Sequence, residues 1–280
     1  MSTGIVRQGD VTIATQSFGT RENPSLLLVM GAMASMLWWP DDFCEALAAE
    51  GFHVIRYDNR DTGLSTKYEP GKPGYGFDDM VKDAVRVLDH HTVDKAHVVG
   101  MSMGGMIAQT LALVYTARIA SLTAISTSPL GIDTSTLPGT RQAYQDHAAA
   151  GANVDWSDKA QVLDFMMKDA RMLASTAHPF DEAGMRAFID RDYERSGSFA
   201  SATNHFAIMD GAPAGSIRDL EARLLVVHGT SDPIFPVEHG EALAAAVANA
   251  TLVRVPGGGH ELHRGDWPLI VTAIAAHLRA

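Results

Sequence analysis

Ser102 lies between Gly100-Met101 and Met103-Gly104, directly after the run Ala96 to Val99 that reads as a strand. A serine in that setting is a candidate nucleophile. A strand that turns abruptly into a helix strains the backbone of its turn residue, and glycine two positions before and two after leaves room for the elbow. The apolar run Met106 to Leu113 reads as the helix that follows, so the Ser102 hydroxyl would sit exposed at a helix N-terminus. The five-residue spacing alone also fits a plain turn or a helix cap. Strand before and helix after select the nucleophile.

A neutral serine hydroxyl needs a base, and the base needs a carboxylate to orient it. The C-terminal third offers both. His228-Gly229-Thr230-Ser231-Asp232-Pro233 follows one predicted strand and Pro256-Gly257-Gly258-Gly259-His260 follows the next. Each candidate therefore lies on a loop at the carboxyl end of a parallel strand, where such sheets place their sites. An aspartate before proline also initiates turns, but the preceding His-Gly pair favours Asp232 as the acid, with Asp133 as a fallback. His263 competes with His260; the glycine run favours His260, because it permits the tight turn that brings an imidazole toward the elbow. Attack on a carbonyl leaves a negative oxygen that preorganised amides stabilise. The Met103 amide is the first expected donor. The second comes from Gly31-Ala32-Met33, with Ala32 chosen and Met33 its neighbouring alternative.

These residues need a scaffold, and periodicity supplies one. Val11 to Gln16, Leu26 to Met30, Val54 to Tyr57, Ala96 to Val99, Leu122 to Ser126, Leu224 to His228 and Thr251 to Val255 read as strands, several uniformly apolar as in a covered parallel sheet. Phe43 to Glu50, Asp78 to Asp89, Met103 to Val114, Val237 to Ala248 and Trp267 to Leu278 carry apolar residues at helical spacing. The pattern predicts an α/β fold, a mostly parallel central sheet with flanking helices. No strand pattern appears between Ser126 and Leu224, so that stretch is expected to be a helical insertion. The predicted division is a core of residues 1–128 and 218–280 and a helical cap, or lid, of 129–217.

At 280 residues and a net charge of -11, the chain can bury one large core and carries no basic block for nucleic acid or an anionic membrane. A small-molecule partner is expected. The lone Cys44 forms no internal disulfide, the first ten residues lack a signal pattern, and no apolar run approaches the ~18–20 residues of a membrane helix. The default expectation is therefore a cytoplasmic protein, monomer or homodimer. His90, His91 and His97 lie at a helix end and a strand start without a matching cysteine or carboxylate cluster, and read as solvated histidines rather than metal ligands. Asp58 and Asn59 read as turn formers, and Arg60 as a local ion pair with its flanking aspartates. Methionines 30, 33, 36, 101, 103 and 106 flank both oxyanion segments, as suits an adaptable apolar cavity. Trp38 or Trp39 could face substrate, and Trp156, Phe165, Met166, Phe188, Phe206 and Met209 could form the inner face of the lid; helical packing is the commoner role of such residues.

With GMSMG, HGTSDP and GGGH in place and in order, the chain resembles the α/β-hydrolase superfamily over essentially its whole length. More narrowly, VMGAMASMLWWP and the Arg56 to Ser65 segment RYDNRDTGLS resemble the aclacinomycin methylesterase type, which hydrolyses a methyl ester on a polyketide-derived aromatic. The resemblance implies Ser102, Asp232 and His260 as nucleophile, acid and base, and Ala32 with Met103 as oxyanion donors. It also implies that Asp58, Arg60 and Asp61 brace the loop beside the site.

The function expected is hydrolysis of a small to medium apolar carboxylic ester through an acyl-enzyme, with no metal and no organic cofactor. The same residues could also serve carbon–carbon bond hydrolysis, lactone opening, perhydrolysis, acyl transfer or a slow-turnover ligand receptor. Aspartate-nucleophile chemistry on haloalkanes or epoxides is disfavoured, because this chain has Ser102 there.

Overall fold

The computed structural model describes residues 1–209 and 215–280. The expected cap, 129–217, therefore includes five positions, 210–214, that lie outside the described residues. Eight strands form one sheet: β1 (Ser2–Gln8), β2 (Val11–Phe18), β3 (Ser25–Val29), β4 (His53–Tyr57), β5 (Ala96–Met101), β6 (Ile119–Ile125), β7 (Arg223–Gly229) and β8 (Ala250–Val255). Their spatial order is β1-β2-β4-β3-β5-β6-β7-β8. β1 and β2 run antiparallel, β2 pairs antiparallel with β4, and all later neighbours are parallel.

The apolar runs of the central strands follow from this arrangement, because both faces of a parallel sheet are covered by helices. Successive residues of β3 point to opposite sides, and Leu26, Leu27 and Leu28 are all fully buried. Leu27 and Val29 join a core with helices α2 (Phe77–His90), α3 (Met103–Val114) and α8 (Val237–Ala246), whereas Leu26 and Leu28 face α1 (Asp41–Ala49) and α9 (Trp267–Arg279). Each such side chain contributes about 1.5–3 kcal/mol by leaving water. Between β6 and β7 come α4 (Gln142–Ala150), α5 (Lys159–Leu173), α6 (Glu182–Ser196) and α7 (Asn204–Ala207), with no strand among the described residues. This segment has its own small core around Val162, Met166, Met167, Ile189 and Phe199, against which Met33 and Trp38 of the sheet side also pack.

Two expectations change. β1 was not anticipated as a strand: it is an edge strand with only Val6 buried, so it lacks the apolar alternation that marks the others. Its register is set by a tight reversal at Gly9-Asp10, with Gly9 at φ +55° and Gln8 paired with Val11. The histidines also differ from the reading of solvated side chains. His90 is exposed, but His91 is buried with Nε2 3.0 Å from Thr15 Oγ1, and His97, partly buried, has Nδ1 2.8 Å from Ser121 Oγ. Burial lowers both pKa values to about 4, helped for His91 by His90 and for His97 by His277.

Neutral imidazoles in the folded chain regain ordinary proton affinity when it unfolds. Between pH 6.5 and about 4 the unfolded chain therefore binds more protons, and stability falls with pH across that window. Thermal melts at pH 7.0 and 5.0 will show the lower melting temperature at pH 5.0. His91→Phe, which removes one such titration, will narrow the difference; a gap of unchanged size would contradict this account.

Candidate active site

β5 ends at Met101 and α3 begins at Met103, so a single residue, Ser102, makes the turn at φ +56° and ψ −123°. Such a conformation is costly for a residue with a side chain, by about 1–3 kcal/mol, and persists only where its surroundings enforce it. The Ser102 N–H donates to Ile125 O at 3.0 Å, and its carbonyl accepts from Gly105 N at 2.8 Å and Thr127 Oγ1 at 2.8 Å. Glycine is required on both sides for space. A Cβ on Gly100 would overlap the Gly104 carbonyl, and one on Gly104 would overlap the carbonyls of Val29 and Met30. The backbone is thereby clamped, and the hydroxyl is left facing a cavity.

Asp232 and His260 arrive from the loops after β7 and β8. Asp232 is 1% exposed, its Oδ1 accepts from the amides of Ile234 (2.8 Å) and Phe235 (2.9 Å), and its Oδ2 lies 2.8 Å from His260 Nδ1. Burial disfavours its charge, yet the attraction and hydrogen bond of His260, with His228 and the Phe235 amide, hold its pKa below the ordinary carboxylate value. An ionised Asp232 accepts only, so His260 carries its proton on Nδ1 and turns a free Nε2 outward. His260 and Ser102 line the same cavity. Among the described residues no hydrogen bond joins them. The His260 loop is held from the α5 side: the His260 N–H donates to Leu173 O at 2.8 Å, and Ser175 Oγ donates to Gly257 O at 2.9 Å.

The loop after β3 passes close to the elbow. A Cβ on Gly31 would lie 3.1 Å from Ser102 Cβ. Met103, as the first residue of α3, has an amide that no intrahelical carbonyl can accept from. Of the two expected partners for that amide, Met33 is otherwise engaged, because its N–H donates to His205 Nδ1 at 3.0 Å.

The cavity has a volume of about 580 Å³ and is mainly apolar and aromatic, with Trp38, Tyr144, Trp156, Phe165, Phe206 and Phe235 in its wall. Met30, Met33, Met101 and Met103 also line it, as do Met166 and Met209. Trp39 instead is fully buried in the α1–α9 core, and Phe188 packs edge-on against Trp38 at 4.9 Å. Among the described residues the carboxylic side chains lining the cavity are Asp169 and Glu261, and no Lys or Arg is among the lining residues. Burial raises the Glu261 pKa, against a hydrogen bond from Ser175 N at 2.7 Å.

Other candidates find different places. Asp133 is exposed and caps its own turn through Ser135 N, far from the role of an orienting acid. His263 accepts from Gly265 N through Nδ1 and stacks on His178 at 4.2 Å, while His178 Nε2 lies 2.8 Å from Asp266 Oδ1. These three are the one histidine–carboxylate cluster with metal-like spacing among the described residues. Because His263 Nδ1 accepts, its neutral ring is protonated on Nε2, the remaining nitrogen a metal would need. Arg60 pairs with Asp83, not with its flanking aspartates, through Nε at 2.6 Å and Nη2 at 3.0 Å. Its neighbours are spoken for: Asp58 Oδ2 accepts from Arg195 Nη2 at 2.6 Å and Asp58 Oδ1 from Met36 N at 2.8 Å, and Asp61 Oδ2 accepts from Tyr75 Oη at 2.7 Å. Asp192 and His205, which reach the loop after β3 from α6 and α7, and Arg195, which reaches Asp58 after β4, were missed by the sequence reading. Nothing local marks them, since their partners lie 137 to 172 residues away.

A family model described as the alpha/beta hydrolase fold matches residues 24–264. Rhodomycin D methylesterase DauP of Streptomyces sp. (strain C5) is 31% identical over 296 aligned residues, covering 100% of this chain and 99% of its own. Rhodomycin D methylesterase DnrP of Streptomyces peucetius is likewise 31% identical, with the same coverage. Among solved structures, an esterase from Rhodococcus sp. ECU1013 matches with a TM-score of 0.80 at 20% identity, covering 100% of this chain and 99% of that one. An enol-lactonase from Burkholderia xenovorans LB400 matches with a TM-score of 0.77 at 20% identity, covering 99% and 100%. These two likenesses are of fold. No helix among the described residues is long and apolar enough to cross a membrane.

The elbow's dependence on glycine gives a direct expectation. Gly104→Ala forces a methyl group into the carbonyls of Val29, at the end of β3, and Met30, an overpacking worth about 1–3 kcal/mol. Chemical denaturation will place its midpoint well below that of the unaltered chain, whereas Gly139→Ala, where a Cβ meets only open space, will leave the midpoint in place. A Gly104→Ala midpoint equal to the parent's would contradict the packing described.

Proposed function

We propose, for a chain that belongs to the α/β-hydrolase family and is an esterase-type hydrolase, that Ser102 is its nucleophile, His260 its base and Asp232 the acid that orients the base. The observation that carries this reading is the meeting of Ser102, on its enforced elbow, with a His260 already bonded to a buried Asp232 in one cavity. His260 Nε2 takes the Ser102 proton as Oγ attacks the ester carbonyl. The amides of Met103 and Ala32 receive the oxyanion, an interaction worth a few kcal/mol per donor. The imidazolium then returns the proton to the departing alcohol, leaving an acyl-enzyme. Water, activated by the same imidazole, releases the carboxylic acid. Asp232 stays ionised throughout, and it stabilises the imidazolium without accepting a proton from it.

The helical segment between β6 and β7 supports a cap assignment for 129–217 over a core of 1–128 and 218–280, because it contributes Trp156, from the turn before α5, and Phe165 and Met166, from α5, to the cavity wall. The substrate proposed is a neutral ester with an apolar, flat acyl body. Six aromatic side chains in the wall suit such a body, and two relatives are named as methylesterases of rhodomycin D, which supports a small leaving alcohol such as methanol. Asp169 adds a charge preference. A substrate bearing a carboxylate would meet like charge in a low-dielectric wall, and the acid product is disfavoured there once it forms.

The test is hydrolysis of p-nitrophenyl esters and aromatic methyl esters near neutral pH. Ser102→Ala will lose about 10³-fold or more in kcat with the fold retained, and Asp232→Asn about 10²–10⁴-fold. Undiminished turnover in Ser102→Ala would exclude the proposed nucleophile. In the unaltered enzyme, the methyl monoester of an aromatic dicarboxylic acid will be cleaved at least about tenfold less efficiently than its neutral counterpart; equal kcat/KM would remove the charge argument.

A further inference from the structure

The loop that carries Ala32 is held largely from the far side of the cavity. Ser35 Oγ donates to Asp192 Oδ1 at 2.7 Å and Trp38 Nε1 to Asp192 Oδ2 at 3.1 Å, while Arg195 bridges to Asp58, the acceptor for Met36 N. The nearest tie to Ala32 is His205. It is fully buried on α7, with Nε2 2.7 Å from the Arg60 carbonyl and Nδ1 3.0 Å from Met33 N. A carbonyl only accepts, so Nε2 carries the proton, and Nδ1 is the acceptor for the Met33 amide. One neutral imidazole thus spends its single donor and its single acceptor on two separate segments of the core.

The Met33 amide belongs to the peptide unit that begins at the Ala32 carbonyl. Holding that N–H fixes the plane of the unit, and one pair of dihedral angles separates it from the Ala32 N–H. Met33 itself sits at φ +62°, a left-handed conformation that a non-glycine residue keeps only under external constraint. His205 is in turn held in place. Its neighbour Asn204 donates to Asp61 Oδ2 at 3.0 Å and accepts from Gly71 N at 2.7 Å, and burial keeps the imidazole neutral by lowering its pKa.

We infer that His205, through its hydrogen bond to the Met33 amide, is a positioning residue that aims the Ala32 N–H at the oxyanion, so that the insertion supplies part of the catalytic frame as well as part of the pocket wall. This rests on the proposal that Ala32 is the second oxyanion donor. A misaimed donor weakens transition-state binding more than substrate binding, which is a kcat effect.

The experiment compares His205→Phe, which keeps the bulk and removes both nitrogens, with His205→Gln, whose amide keeps one acceptor and one donor. His205→Phe will lower kcat about 10- to 100-fold with KM within about threefold of the parent, and His205→Gln will recover most of that loss. Amide hydrogen exchange across residues 31–38 will quicken at least about tenfold in His205→Phe and stay unchanged across 103–114. An unaltered kcat, a change confined to KM, no recovery with glutamine, or unaltered exchange at 31–38 would each overturn the inference. Exchange is read without turnover, so a failed strut is told apart from a failed Ser102 reading, which would show as activity surviving Ser102→Ala. Should His205→Phe not fold, the imidazole ¹⁵N shifts of the parent decide: the Nε2–H tautomer supports the strut, and a proton on Nδ1 overturns it.

Discussion

The backbone of Ser102 is the constraint on which the rest of the site depends. A side chain at φ +56° stores strain, and the fold has to hold it there. It does so by packing α3 so tightly across β5 and β3 that positions 100 and 104 have no space for a methyl group. That closeness fixes the direction of α3, and hence where its unpaired amides point. It also brings the loop after β3 alongside the hydroxyl. The location of the cavity is therefore a result of backbone packing before any polar side chain is considered.

Around that fixed point, buried carboxylates are placed with a partner each. Asp232 holds His260, Asp83 holds Arg60, Asp58 holds Arg195, and Asp192 receives Ser35 and Trp38. A buried acid without such partners would raise its pKa and lose its charge. Asp192 shows the balance tipping, since burial raises its pKa despite hydrogen bonds from Ser35 and Trp38. Asp232 lies on the other side of it, because His260, His228 and two amides face it together. The same residue type thus has its charge favoured in one place and disfavoured in another, according to what surrounds it.

How much of this was legible in the sequence follows from how local each cause is. The Ser102 elbow depends on glycines two residues away, and the strand-end placement of Asp232 and His260 depends on apolar runs directly before them; both are short-range patterns, and the structure brings the residues together. The helical character of the segment after β6 was legible from the absence of strands. The edge strand β1 was not, because an edge facing water carries no apolar alternation. Arg60 was misread for a related reason: proximity in sequence suggested Asp58 and Asp61, but the chain turns there, and Asp83 on the next helix presents both carboxylate oxygens to the guanidinium. The Ala32–Met33 ambiguity was open in the sequence because both amides neighbour Gly31. A contact 172 residues distant, from Met33 N to His205 Nδ1, is where the two amides differ.

That distant contact bears on how such a site can vary. The segment between β6 and β7 touches two loops at the cavity: Leu173 and Ser175 hold the His260 loop, and Asp192 and His205 hold the loop after β3, with Arg195 pairing to Asp58 beside it. Between those anchors, α4 reaches the cavity through Tyr144 and Ala148, the turn before α5 through Trp156, and α5 through Phe165 and Met166, and most of that contribution is apolar contact. Apolar walls tolerate changes of shape that keep volume, whereas a buried hydrogen bond loses its full value when one partner goes. Substitutions that re-shape the pocket are therefore cheap in the middle of the insertion and expensive at its anchors. One segment can in this way reshape the cavity while keeping the two loops beside it in place.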